Sequence, residues 1–161
     1  MSGWPLKRSL PRCGYDVSVQ YGANQPEYDL AVVRDERMLK VSVKGSQDGG
    51  WGLTQSYMRK GEANYHEAID LWVARHKPRT VMCFVQFIDV PIMKMPPVYL
   101  ATPTEVGKFM KSCASGRGVT VLFERKEWTK RAHGSGTVDE MPKNWAFSPE
   151  RIDHLMQSPL P

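Results

Sequence analysis

The 161-residue sequence contains no apolar run near the ~20 residues that cross a bilayer, so no membrane span is expected. Lys7 and Arg8 are not followed by an apolar stretch, and no secretory signal is read there. Cysteine is scarce: Cys13, Cys83 and Cys113 are odd in number, scattered and without a Cys-x-x-Cys pair. That argues against a disulfide framework or zinc knuckle and favours a reducing cytoplasm. The four histidines (66, 76, 133 and 154) have no ligand spacing with the cysteines, so no zinc site is expected. His66-Glu67 lacks a second histidine four residues on, which removes the metalloprotease helix. The glycine-rich stretch 47–52 lacks the Lys-Ser/Thr ending of a phosphate-cradling P-loop. Neither a Ser-His-Asp nor a Cys-His arrangement is indicated, and no repeat or low-complexity tract is visible.

What is present is ordinary globular material, with 41% hydrophobic and 24% charged residues. The length suits a single domain, 1–161, with a real core. The formal charge of +5 favours polyanionic partners.

The most informative stretch is a pair of alternating segments, 28–33 and 38–46, joined by the polar link Arg34-Asp-Glu-Arg37. Leu30 and Val32 alternate with Asp29 and Ala31; Leu39, Val41 and Val43 alternate with Lys40, Ser42 and Lys44. Period-two alternation predicts an antiparallel hairpin with one buried face. A slip of one residue would move the apolar set to the wrong side. The simplest pairing places Asp29 opposite Lys44 and Ala31 opposite Ser42, with an acid and a base meeting at the hairpin's open end. A structural reading of that pair is a cross-strand ion pair worth roughly 0.2–1 kcal/mol.

Asp29, a hairpin, and a strand closing Ser42-Val43-Lys44-Gly45-Ser46 resemble the core of the PD-(D/E)XK, or restriction-endonuclease-like, nuclease superfamily. The resemblance covers about residues 14 to 88 and departs from the family at Ser42, where an acid or amide is usual. It implies an α/β fold of αβββαβ type, with a central mixed sheet of about five to six strands flanked by helices. The family's first helix is expected to be short or missing here. It also implies Asp29 and the Val43 backbone carbonyl as ligands of Mg²⁺ or Mn²⁺, weakly held, and Lys44 as the catalytic cation. A neutral hydroxyl is a poor ligand for a hard dication, so a second acid would have to enter the slot of Ser42. Glu27, two residues before Asp29, shares its face if the backbone is extended; Asp16 and Glu67 are weaker candidates. Gln55 could position a water or a phosphate.

Elsewhere the pattern predicts strands at 15–20, 80–88, 98–101 and 119–123. Helices are expected at 62–76, from 102 to the glycines at 116 and 118, and from 148 onward. A helical turn is expected around Leu6–Leu10. Thr102, Pro103 and Glu105 form a capping box with proline at the first helical position. The continuous apolar run in 80–88 predicts a buried central strand, making the preceding helix a crossover. Residues 47–52 are expected to be an exposed loop from which Trp51 could stack on a base, and 134–144 a mobile one. Arg125, Lys126, Lys130 and Arg131 surround Trp128, which suits a phosphate backbone beside a base; a solvated strand end is the plain alternative. The functions in view are a metal-dependent nuclease on DNA or RNA, and an inactive nuclease-fold protein that binds nucleic acid or a protein. The third is an interaction protein whose Asp29–Lys44 pair only pins a hairpin. A homodimer is also expected by analogy.

Overall fold

The computed structural model describes residues 6, 9–21 and 27–158. Strands β1 (Asp16–Val19), β2 (Leu30–Arg34), β3 (Arg37–Ser46), β5 (Thr80–Gln86) and β6 (Val98–Ala101) form a five-stranded sheet in the order β1-β2-β3-β5-β6. Two small two-stranded sheets pair β4 (Gly50–Gly52) with β7 (Val121–Phe123), and β8 (Arg125–Glu127) with β9 (Val138–Glu140). Among the described residues, the α-helices with both ends defined are α1 (Tyr65–Ala74), α2 (Pro103–Ser112) and α3 (Pro149–Gln157). The fold is α/β, as expected.

The main sheet is mixed. β3 runs parallel to β5, with α1 as the crossover between them, and the other pairs are antiparallel. β5 is buried at every position because helices cover the sheet on both faces. On one face Leu39, Val41, Val43, Val81, Cys83 and Leu100 pack with Ile152, Leu155 and Met156 of α3. On the other, Met82, Phe84 and Ala101 pack with Ile69 and Trp72 of α1 and with Val106 and Met110 of α2.

Local chemistry explains the helix starts. The Thr102 hydroxyl accepts from the Glu105 amide at 3.2 Å while the Glu105 carboxylate accepts from the Thr102 amide at 2.7 Å, so the predicted box forms. Ser148 caps α3 by accepting from the Arg151 amide at 3.0 Å. Of the predicted turn at Leu6–Leu10, Leu6, Ser9 and Leu10 are described: both leucines are buried and the Leu10 amide donates to the Leu6 carbonyl at 2.9 Å. Lys7 and Arg8 lie outside the described residues.

Two expectations are overturned. Residues 50–52 are not an exposed loop but strand β4, because Trp51 is 3% exposed and pairs with Leu122. Residues 134–144 are not merely a loose segment. β9 lies within them, Met141 is buried, and Asp139 accepts from the Ala114 amide at 2.8 Å and the Trp128 indole at 2.6 Å. Residues 121–123 do form a strand, but beside β4 rather than in the main sheet.

Candidate functional site: an open strand edge

The hairpin keeps the expected faces but not the expected register. β2 and β3 pair Leu30 with Val41, Val32 with Leu39 and Arg34 with Arg37. Only Asp35 and Glu36 remain in the turn, and Asp35 takes a left-handed φ of 54°. The pairing inferred from the pattern centres the turn on 36–37, and the observed turn is centred one residue earlier. Every cross-strand partner therefore shifts by two, which preserves the side each residue faces. One step past Leu30–Val41, Asp29 comes level with Ser42, and Lys44 lies one alternate position further along β3. The direct Asp29–Lys44 opposition is thus corrected to a diagonal one.

Asp29 is fixed by the backbone. Its amide donates to the Val41 carbonyl at 2.9 Å, and its carboxylate accepts from the Val43 amide at 2.7 Å. The carboxylate therefore caps the stretch of β3 where β2 has ended. A strand residue presents its amide and carbonyl on the same edge, so the Val43 carbonyl also opens beside Asp29. Ser42 is 4% exposed, inward of that edge, whereas Lys44 is exposed. Phe84, paired with Lys44 on β5, is wholly buried, and Ser42 and Ala31 on the same face are covered too, so among these positions the face opens to solvent only at Lys44.

Lys44 is held from behind. The Trp51 indole donates to the Lys44 carbonyl at 2.9 Å and its ring rests on Phe84, 5.3 Å between centroids. Trp51 is therefore a buried support and cannot stack on a base. Sequence reasoning missed this role, and nothing local signals it, because it depends on β7 pairing with β4. Tyr28 is likewise a neighbour the pattern did not single out; the Lys40 ammonium stands 5.7 Å from its ring centre. His76, two residues past the end of α1, feels Glu27 and Lys44 only as minor, opposing charges. Burial is the main cause that holds the His76 imidazole below its ordinary value; a bond to the Trp72 carbonyl at 2.8 Å partly offsets it.

The other proposed acids fare differently. Glu27 is exposed on a bend ahead of β2, so the extended backbone needed to share the face of Asp29 is not formed there. Asp16 pairs with Val33, about 10 Å along the strands from the Leu30 level. Glu67 is bound by Arg59 at 2.7 Å, on the solvent side of α1. The Gln55 side chain lies against Gly52. Among the described residues no three or more His, Cys, Asp or Glu side chains converge.

The basic segment forms the β8–β9 hairpin. Arg125 pairs with Glu127 at 2.6 Å, and Lys126 sits 4.8 Å from the Phe123 ring centre. Trp128 is half-buried, its indole tied to Asp139, with Arg117 and Lys126 within 5.8 Å of its ring centre. Lys130 and Arg131 are exposed. The hairpin's anchors run to α2 and β6, through Asp139 to Ala114 and Glu124 to the Tyr99 hydroxyl. The structure does not bring Trp128 against Asp29 and Lys44.

A hard dication takes oxygen ligands, and Mg²⁺ is commonly held by one or two carboxylates with water and substrate phosphate filling the rest. Asp29, the Val43 carbonyl and a phosphate could hold such an ion weakly; Ser42 adds no charge. The buried thiols are poor nucleophiles: burial pushes Cys113 up to about 12 and raises Cys83 further. No helix of the described residues is long and apolar enough to cross a membrane. No protein-family model matches the chain, and no significant match was found among curated proteins.

Proposed function

We propose that the open β2–β3 edge binds and cleaves phosphodiesters, making this chain a metal-dependent nuclease of the restriction-endonuclease-like kind. The observation that carries the reading is Asp29. Its carboxylate is locked onto the Val43 amide at 2.7 Å, at the one end of the hairpin left open beside exposed Lys44. A bound Mg²⁺ or Mn²⁺ would supply polarisation of the phosphate and a more acidic water. Asp29 and the Val43 carbonyl would hold that ion. The Lys44 ammonium would lie against the non-bridging phosphate oxygens, where a fixed cation stabilises charge as it develops. The Trp51–Lys44 carbonyl bond keeps the backbone under that cation from shifting.

The test is incubation with supercoiled, linear and single-stranded substrates in Mg²⁺ or Mn²⁺. Cleavage that disappears in Lys44→Ala supports the reading; no cleavage of any substrate by the folded wild type removes it.

A second reading, nucleic-acid binding without catalysis, is favoured by one observation: the slot for a second acid holds a neutral, buried Ser42. Binding that weakens with salt in a gel shift, without cleavage, would select it. Three free cysteines fit a reducing compartment, and we place the protein in the cytoplasm on that ground.

A further inference from the structure

Where the carboxyl ends of α1 and α3 meet the start of α2, the structure leaves a cavity of about 480 Å³. Thr80 and Val81 place it at the start of β5, about 13 Å along the strand from Phe84, the partner of Lys44. Asp29, Val43, Lys44 and Trp51 do not line it. Its floor is apolar: Leu39, Val73, Pro78, Val81, Pro103 and Leu155. At the ~30 Å³ that a water takes in the liquid, the volume holds a ligand of roughly fifteen non-hydrogen atoms. An apolar floor of this size with a few polar groups around it is the usual form of a small-molecule site.

The charges on its rim are of one sign. Lys77 is exposed and joins no ion pair among the described residues. Arg79 donates only to neutral acceptors, the carbonyls of Met38 at 3.1 Å, Met156 at 3.0 Å and Ser158 at 3.4 Å, so its charge is not cancelled. Its backbone is held at a φ of 64°, a left-handed conformation uncommon for a residue other than glycine. Among the described residues Glu105 is the one acid lining the cavity, and it is already bound to Arg151 at 2.7 Å. In the first turn of α2 the capping box takes the amides of Thr102 and Glu105, and Pro103 has none. The Thr104 amide is left over, at the cavity wall and at the positive end of the helix. An apolar floor beneath uncancelled cations is complementary to a molecule with an apolar body and a negative head.

We propose that this cavity binds an amphipathic organic anion, its body against Leu39, Val73 and Leu155 and its head among Lys77, Arg79 and the Thr104 amide. The site is separate from the β2–β3 edge and does not depend on the chemistry assigned to Asp29.

The experiment titrates the full chain with decanoate, decyl phosphate, decan-1-ol and acetate, all below micelle-forming concentrations, by calorimetry and by amide chemical shifts. At least one decyl anion should bind about tenfold or more tighter than decan-1-ol, the difference made by a charge-assisted hydrogen bond, and the tighter anion names the head group. The Thr104 amide should show one of the largest shifts. Lys77→Glu should lose about tenfold in affinity for that anion and none for decan-1-ol. Thr104→Glu should lose as much while keeping its fold, because an acid in the first turn stabilises a helix. Circular dichroism and melting temperature check that both variants are folded. Three results would each overturn the proposal: no saturable binding of either decyl anion, decan-1-ol or acetate binding as tightly as the anions, or anion binding unchanged in both variants. None of them bears on cleavage at the strand edge, which is measured separately.

Discussion

Asp29 and Glu105 are both carboxylates that accept a backbone amide at 2.7 Å, and they end in opposite situations. Glu105 is used up: the same oxygen that caps α2 takes the Arg151 guanidinium at 2.7 Å, and Arg151 is 6% exposed and also donates to the Leu100 carbonyl at 3.1 Å. Asp29 takes its amide at a strand end facing solvent. Among the described residues neither it nor Lys44 joins an ion pair. A carboxylate with a buried cation serves the fold. One held in place by backbone alone, with an uncommitted cation nearby, retains capacity for a ligand.

The comparison can be broken by mutation. Glu105→Ala removes the cap and leaves Arg151 buried without its partner, which should cost about 3–5 kcal/mol, read from the denaturant midpoint. Lys44→Ala should leave that midpoint near wild type while cleavage falls about 10²–10³-fold, the usual loss for one fixed charge-stabilising donor. Equal destabilisation by the two substitutions would mean the distinction is wrong. Ser42→Asp sharpens the contrast from the other side. It places a second carboxylate in a buried slot beside Asp29, at a cost of about 1–3 kcal/mol without metal. Added Mn²⁺ should raise its melting temperature more than that of wild type, by mass action on a stronger site.

The smallest effect concerns a third carboxylate, Asp153, which accepts from the Tyr15 hydroxyl and pairs with Arg34 at 2.8 Å. Burial, then the bond to Asp153, raises the Tyr15 phenol from 10.0 to about 12. The folded state therefore favours the neutral phenol. This contribution is complete below pH 10 and is lost as pH rises from 10 towards 12. Tyr15→Phe should flatten that part of the stability profile.

Where sequence pattern governs structure locally, it was readable. The Thr102–Glu105 box depends on one spacing of three residues and forms as read. The faces of β2 and β3 follow from alternation alone, so Leu30, Val41 and Val43 lie in the core. The register does not follow, because it depends on where the turn is centred, and Asp35-Glu36 and Glu36-Arg37 are equally polar as a two-residue turn. Trp51, set among glycines, carries loop composition; its burial comes from β7, some 70 residues later. Asp139 fastens a segment that reads as loose because its partners, Ala114 and Trp128, lie 25 and 11 residues away. At the site, the acid and the base were legible as a pair on one face. The amide that seats the acid was not, since it exists only in the true register.

The most direct measurement is Mn²⁺-supported plasmid cleavage by wild type and by Asp29→Asn at matched folded fraction. Asparagine can still accept from the Val43 amide, so the edge is retained while its charge is removed. We predict unchanged unfolding, cleavage by the wild type and none detectable from the variant. Equal cleavage by both proteins would contradict the assignment of this carboxylate to phosphodiester chemistry.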